Sequence, residues 1–203
     1  MYEIYLGIKR KWSISRISRE IEVSATTVLR EIRRNSNANG YNPLEINLKN
    51  VVSKNVTVKN CKFANFSNNA MTVFGMAEGG VLNIEKNIFD LSKKSDAVRI
   101  SNKTNTKFTI NVKDCSYTYP TDAAGQWVGF FLFEDHTSKT AEEANAAMQF
   151  KNLKVNVDNV TFEGAKVTKL NLFTGARNQF ACMYYDKSGY VVDATHFPTF
   201  NFK

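Results

Sequence analysis

NVTVKNCKF at residues 55–63 decides how this chain is read, because its pattern returns three more times. VLNIEKNIF occupies 81–89, TINVKDCSY occupies 109–117 and KVNVDNVTF occupies 154–162. Each copy runs apolar, any, apolar, two polar or charged residues, one variable inward position, any, then an aromatic ring. The apolar pairs are Val56 with Val58, Leu82 with Ile84, Ile110 with Val112, and Val155 with Val157, and the rings are Phe63, Phe89, Tyr117 and Phe162. Residues two apart share one face of a strand, so each copy predicts a short strand with one buried side. The starts at 56, 82, 110 and 155 lie 26, 28 and 45 residues apart, and the last interval has room for one repeat and a long insertion. A second strand-like run follows each start: Ala70–Val73, Ala97–Ile100, Trp127–Phe130 and Leu170–Phe173.

Self-similarity at this period marks a solenoid, in which each repeat buries its inward side chains under the next. The fold class read from residues 44–203 is therefore mainly β, a right-handed parallel β-helix (β-solenoid). A β-sandwich or jelly roll with coincident spacing is the alternative. Asn60, Asp114 and Asn159 share one repeat position, where a turn needs a residue that tolerates left-handed backbone. Cys61 and Cys115 also share a position, with Asn87 between them. Two strand steps span about 9.5 Å, beyond the ~7 Å that a disulfide bridges between Cα atoms, so two buried free thiols are expected. Ala141, Ala144, Ala146 and Ala147 favour a helical insertion near residues 137–148. Near the end, Phe200 and Phe202 alternate with polar residues in a final strand that starts after Pro198 or lies at an edge.

Upstream the period changes. Ile14, Ile17 and Ile21 recur at helical spacing, and Val28, Leu29 and Ile32 form a second apolar stripe. Ser13 or Ser15 can cap the first helix and Ser24 the second. NSNANGYNP, residues 35–43, is crowded with turn formers. The organisation expected is a helix-turn-helix segment over 1–36, a linker over 37–43 and the β domain over 44–203.

Charge follows the same division. The 203 residues carry 27 Lys plus Arg against 19 Asp plus Glu, a net charge of +8. Residues 1–43 hold eight basic and four acidic side chains, so half the excess sits on about a fifth of the chain. Such a localised basic segment points to an anionic partner such as DNA. Three cysteines without Cys-x-x-Cys spacing and two histidines, His136 and His196, give no metal-site pattern, and neither a metal nor a cofactor is expected. No apolar run approaches the ~20 residues that cross a bilayer as a helix, so no membrane partner is expected.

KWSISRISREIEVSATTVLREIRRN, residues 11–35, resembles the helix-turn-helix of insertion-sequence transposases and of accessory segments in phage homing endonucleases. The resemblance implies that the second helix enters the major groove of double-stranded DNA through residues 13–35. Ala25, Thr26, Thr27 and Arg30 would then face base edges, while Arg33 and Arg34 would hold phosphates. The preceding helix is shortened to MYEIYLGIK, and no acidic nuclease core follows.

NVTVKNCKF (55–63), SDAVRIS (95–101) and the run from VKDCSYTY through WVGFFLFEDHTS (112–138) resemble parallel β-helix domains of bacteriophage virion proteins, namely head decoration and fibre-like proteins. That resemblance implies a non-enzymatic structural protein, assembled in the host cytoplasm into a virion and bound to a capsid or other virion protein. It leaves a homo-oligomer open. Tyr184, Tyr185, Tyr190, Phe197, Phe200 and Phe202 gather near the end and read either as core and cap or as a partner-docking surface. Two other readings stand beside this one: a DNA-binding protein with a β oligomerisation domain, and a carbohydrate-binding or carbohydrate-cleaving β-helix. The densest acidic cluster is Glu134-Asp135-His136, but consecutive strand residues face opposite ways, so no catalytic residue is assigned. Asp96 and Arg99 read as a surface ion pair, and His196 as a packed histidine.

Overall fold

A computed structural model describes residues 10–34, 36–37, 40–41, 46–48, 51, 53–64, 69–92, 95–101, 106–123, 129–135, 149–172, 178–185, 189–191 and 197–203. The chain divides into two compact units, Met1–Ile46 and Asn47–Lys203.

In the first unit, α1 (Ile14–Glu20) and α2 (Ala25–Arg34) are separated by a tight turn. The Ser13 hydroxyl caps α1 by accepting the Arg16 N–H at 3.2 Å, and Ser24 caps α2 by accepting the Thr27 N–H at 3.1 Å. These caps satisfy N–H groups that a helix start leaves unpaired. Ile17 and Val28 are buried against each other, with Trp12, Ile14 and Ile21 packed around them. Leu29, expected on the apolar stripe, is instead exposed. It follows Val28 by one residue, about 100° round the helix, and of the two Val28 turns toward α1. Within the stretch read as a linker, β1 (Ser36–Asn37) pairs antiparallel with β2 (Gly40–Tyr41). Residues 1–9, where the shortened first helix was expected, lie outside the described residues.

The second unit is mainly β and built on parallel sheets. In chain order its strands are β3 (Ile46–Leu48), whose first residue is the last of the first unit, β4 (Asn55–Lys59), β5 (Lys62–Ala64), β6 (Asn69–Val73), β7 (Gly80–Glu85), β8 (Ile88–Asp90), β9 (Asp96–Ile100), β10 (Phe108–Lys113) and β11 (Ser116–Thr118). There follow β12 (Gly129–Asp135), β13 (Lys154–Asp158), β14 (Thr161–Phe162), β15 (Ala165–Lys166), β16 (Ala181–Tyr185), β17 (Gly189–Val191) and β18 (Thr199–Phe202). One sheet has the order β18-β13-β10-β7-β4, a second β15-β14-β11-β8-β5, and a third β17-β16-β12-β9-β6-β3. The sheet neighbours among β4 to β14, β16 and β18 pair in parallel, while β14 with β15 and β16 with β17 are antiparallel.

The quoted pattern sets this register. Val56, Leu82, Ile110 and Val155 lie side by side across the first sheet. Leu82, Ile84, Ile110, Val112, Val155 and Val157 are buried, while the residues between them are half-buried. Phe63, Phe89, Tyr117 and Phe162 align across the second sheet. The turn between the two sheets repeats a left-handed residue: Asn60 (φ 58°), Lys86 (φ 53°), Asp114 (φ 52°) and Asn159 (φ 51°). Lysine is the poorest fit in that set, because it shares the Cβ–carbonyl crowding of every L residue there but lacks the short polar group with which Asn and Asp offset it by local hydrogen bonding. Lys86→Asn is therefore expected to stabilise the protein by about 0.5–1 kcal/mol, read as a raised urea midpoint with an unchanged m-value.

Asn87 explains the missing cysteine at the inward position. Its side-chain oxygen accepts the Cys61 N–H at 2.8 Å and its amide donates to the Val58 carbonyl at 2.9 Å. Cys61 and Cys115 are free thiols. Cys115 is buried as expected, and burial pushes its thiol up to about 11; Cys61 is only half-buried, because no strand covers β5 on its far side among the described residues.

The third sheet departs from the sequence reading. Ala70–Val73 and Ala97–Ile100 lie in β6 and β9, and Phe130 lies in β12, with Trp127 and Val128 outside the described residues. Leu170–Phe173 was expected as the next strand of the sheet, but β16 holds that place. Leu170, Asn171 and Leu172 are irregular, and the Asn171 carbonyl accepts the N–H groups of Phe180 and Ala181 at the entry to β16. The displacement follows the hairpin β14–β15, whose turn residues Glu163 (φ 47°) and Gly164 (φ 86°) are both left-handed, as a tight two-residue hairpin turn requires. The helical insertion expected near 137–148 lies outside the described residues. The chain resumes in a 3-10 turn, Gln149–Asn152, whose Phe150 ring packs 5.4 Å from Phe133.

Candidate functional site

Asp96, Arg99 and Glu134 form a charged cluster on the third sheet. Asp96 and Arg99 belong to β9 and Glu134 to β12, which pair in parallel. Arg99 lies 3.4 Å from Asp96 Oδ1 through one guanidinium nitrogen and 3.6 Å from Glu134 Oε1 through the other. The expectation of a surface ion pair is corrected here: Asp96 is 1% exposed and Glu134 5%. Both faces of this sheet are buried in β6 and nearly so in β9, so the polar positions that face water in the first sheet are enclosed here. Asp96 Oδ2 has no hydrogen-bond partner among the described residues.

Burial pushes the Asp96 carboxyl up to about 7; Arg99 pulls it down and Glu134 pushes it up. Beside it, the Tyr119 hydroxyl accepts the Gly129 N–H at 2.7 Å and lies within donating distance of the Ser95 and Gly129 carbonyls. Tyr119 thus ties the starts of β9 and β12 together next to Asp96. A carboxyl with such proton affinity has the property of an acid–base group, yet its 1% exposure keeps that proton from a substrate in bulk water. Asp135 lies at the end of β12 with its side chain outside the described residues, as does the whole of His136 and His196.

The first sheet presents a different feature, a column of asparagines. Asn201 donates its side-chain amide to Asn156 (3.0 Å), Asn156 to Asn111 (2.8 Å), Asn111 to Asn83 (2.8 Å), and Asn83 to the Thr57 hydroxyl (3.4 Å). Each link joins neighbouring strands, so five strands share one hydrogen-bonded ladder. Sequence reading treated this position as free. The signal was present: an asparagine sits between two apolar residues in Leu-Asn-Ile, Ile-Asn-Val, Val-Asn-Val and Phe-Asn-Phe.

Of the aromatics gathered near the end, Phe197 is buried against Phe133, so its docking role is withdrawn and it belongs to the core. Phe200 and Phe202 are half-buried and stack on each other at 6.0 Å, with Phe180 beneath them. They lie in β18, which begins after Pro198 at the edge of its sheet. Tyr184 is half-buried in β16; Tyr185 and Tyr190 lie in β16 and β17 with side chains outside the described residues.

On α2, Thr26 and Thr27 are exposed, and the Thr27 hydroxyl lies 2.9 Å from that of Ser24 within the cap. The backbones of Arg30, Arg33 and Arg34 lie in α2, while their side chains are outside the described residues. Sequence reading missed Arg16, whose guanidinium sits 4.3 Å over the Trp12 ring with Arg10 at 5.3 Å. Fold and site define a mainly β protein on parallel sheets with a capped, basic helical pair. No protein-family model, curated protein or solved structure matches the chain.

Proposed function

We propose that this chain is a non-enzymatic structural protein of a bacteriophage virion, a capsid decoration or auxiliary protein whose β unit is a right-handed β-solenoid. The observation that supports this best is the rotation of the chain through the same three sheets: β4, β5, β6, then β7, β8, β9, then β10, β11, β12. Parallel crossovers of this kind are right-handed almost without exception. The asparagine ladder ties successive turns together, which suits a rigid body that displays surfaces. Docking falls to Phe200 and Phe202 at the β18 edge. The virion assignment rests on the repeat texture and phrases of residues 44–203. Quantitative mass spectrometry of purified virions is expected to find the chain in a constant ratio to the major capsid protein, retained through salt washes. Its absence from virions of a phage that expresses it would defeat the reading.

A second reading, a helix-turn-helix DNA-binding protein, is favoured by the capped α2 with Thr26 and Thr27 exposed at its start. It predicts duplex affinity that falls steeply with salt. Arg30→Ala with Arg33→Ala is expected to lower that affinity at least tenfold at 50 mM salt and to flatten the salt slope by about two. A filter-binding titration at several salt concentrations checks this.

A further inference from the structure

Beside the asparagines, the first sheet carries a column of charge. Lys59 lies 3.1 Å from Glu85, and Lys113 lies 3.9 Å from Asp158. Strand register sets Lys59, Glu85, Lys113 and Asp158 side by side. Lys203 follows Phe202, the partner of Val157, and so takes the next place beside Asp158. Its own N–H donates to the Val157 carbonyl at 2.9 Å. The column alternates in sign along all five strands and ends on an exposed lysine.

The edge of β18 is equally defined. The Thr199 N–H donates to the Leu153 carbonyl at the entry to β13 and the Lys203 N–H to that of Val157 within it. Alternation along a strand turns the backbone groups of Phe200 and Phe202 to the opposite edge, where no strand pairs among the described residues. At the same side of the molecule the other two sheets end in antiparallel strands folded back on their neighbours, β15 and β17. The asparagine ladder also stops here, with Asn201 giving its amide to Asn156 and keeping its oxygen as an acceptor. A second copy stacked head to tail would lay β4 on β18 and place Lys59 against Lys203, and like charges directly opposite are unfavourable.

We propose that β18 takes a parallel strand from a different protein, with the pattern apolar, Asn/Ser/Thr, apolar, Asp/Glu. Its apolar residues cover Phe200 and Phe202, its polar residue donates to Asn201, and its carboxylate pairs with Lys203. This is strand addition at a sheet edge, with backbone bonds supplying affinity and alternate side chains supplying choice. The inference rests on the reading that docking occurs at this edge and not on membership of a virion, and the two fail separately: capsid co-purification does not depend on the peptide experiment, nor the reverse.

The test uses the full chain and a labelled peptide KVNVDN in fluorescence anisotropy. Saturable binding is expected, about fivefold weaker for KVNVKN, with Lys203→Glu inverting that preference. Methylating the peptide nitrogens on the edge that meets β18 is expected to abolish binding, while methylating the alternate nitrogens leaves it intact. Absence of binding at millimolar peptide, or equal binding of both peptides, overturns the proposal. Sedimentation showing self-association that the peptide competes away also overturns it, because a second copy then occupies the edge.

Discussion

Replacing Arg99 with methionine is expected to cost about 3–5 kcal/mol of stability at pH 8 and roughly 1–1.5 kcal/mol less than that at pH 5. The substitution keeps the unbranched stem of the side chain but removes the cation that Asp96 and Glu134 share. Asp96 titrates in the unfolded chain near 3.8 and in the folded protein at about 7. Between those values the folded state holds the extra proton, so this group's contribution to stability falls as pH rises through the window, and the penalty is complete above it. At pH 5 the native Asp96 is already neutral and needs Arg99 least. At pH 8 it is ionised, 1% exposed, and dependent on the guanidinium. Urea unfolding of both proteins at the two pH values measures the difference. Asp96→Asn is expected to act in the opposite sense, removing a pH-dependent loss on the order of 4 kcal/mol and rescuing part of the Arg99→Met defect. Equal losses at both pH values would show that the carboxyl does not govern the site.

Phe130→Ala is expected to destabilise the protein by about 3–5 kcal/mol, a large share of the ~5–15 kcal/mol that holds an ordinary domain folded. The Phe130 ring is fully buried and lies 5.3 Å from Phe89, 5.2 Å from Tyr117, 5.0 Å from Phe131 and 5.4 Å from Phe180. It therefore links the second sheet to the third, and its removal opens a cavity that rings on fixed strands cannot close. Phe130→Leu retains most of the volume and is expected to cost about 1–1.5 kcal/mol. Phe162→Ala, at a half-buried ring of the same cluster, should fall between these values. Chemical denaturation with matched m-values checks the order, and a Phe130→Ala loss no greater than that of Phe162→Ala would contradict it.

Much of the first two sheets was legible in the sequence for one reason. Their strands present one face to the core and one to water, and that contrast writes itself into alternation at Val56-Thr57-Val58 and its relatives. The left-handed turn was legible at Asn60, Asp114 and Asn159 because these residues suit it; Lys86 occupies the same turn without any signal. The third sheet was legible only in part. Buried on both faces, it offers no alternation, and Leu170–Phe173 was as apolar as the strand that takes its place.

The candidate site divides along the same line. The helix caps at Ser13 and Ser24 are local and were readable. The pairing of Arg99 with Glu134 spans 35 residues, and nothing within either segment announces it. The same holds for Asn87, whose amide serves the backbone of Val58 and Cys61 on the preceding strand pair. The asparagine ladder stood between these cases: its residues were visible, but a ladder exists only once strands 26, 28 and 45 residues apart are brought into register.

By itself the sequence determined where the main strands of the first two sheets and the two capped helices begin, which side of those strands is apolar, the repeat that sets the register of the first sheet, and the concentration of positive charge ahead of the β unit. These are short-range consequences of side-chain period and backbone preference. Only the tertiary structure decided that Asp96 and Glu134 are enclosed around one arginine, that Phe197 belongs to the core while Phe200 and Phe202 remain half-buried, and that the charge column reaches Lys203 at an edge where no strand pairs among the described residues. Burial and pairing depend on what lies across the sheet, and a residue's neighbours in the chain carry no record of it.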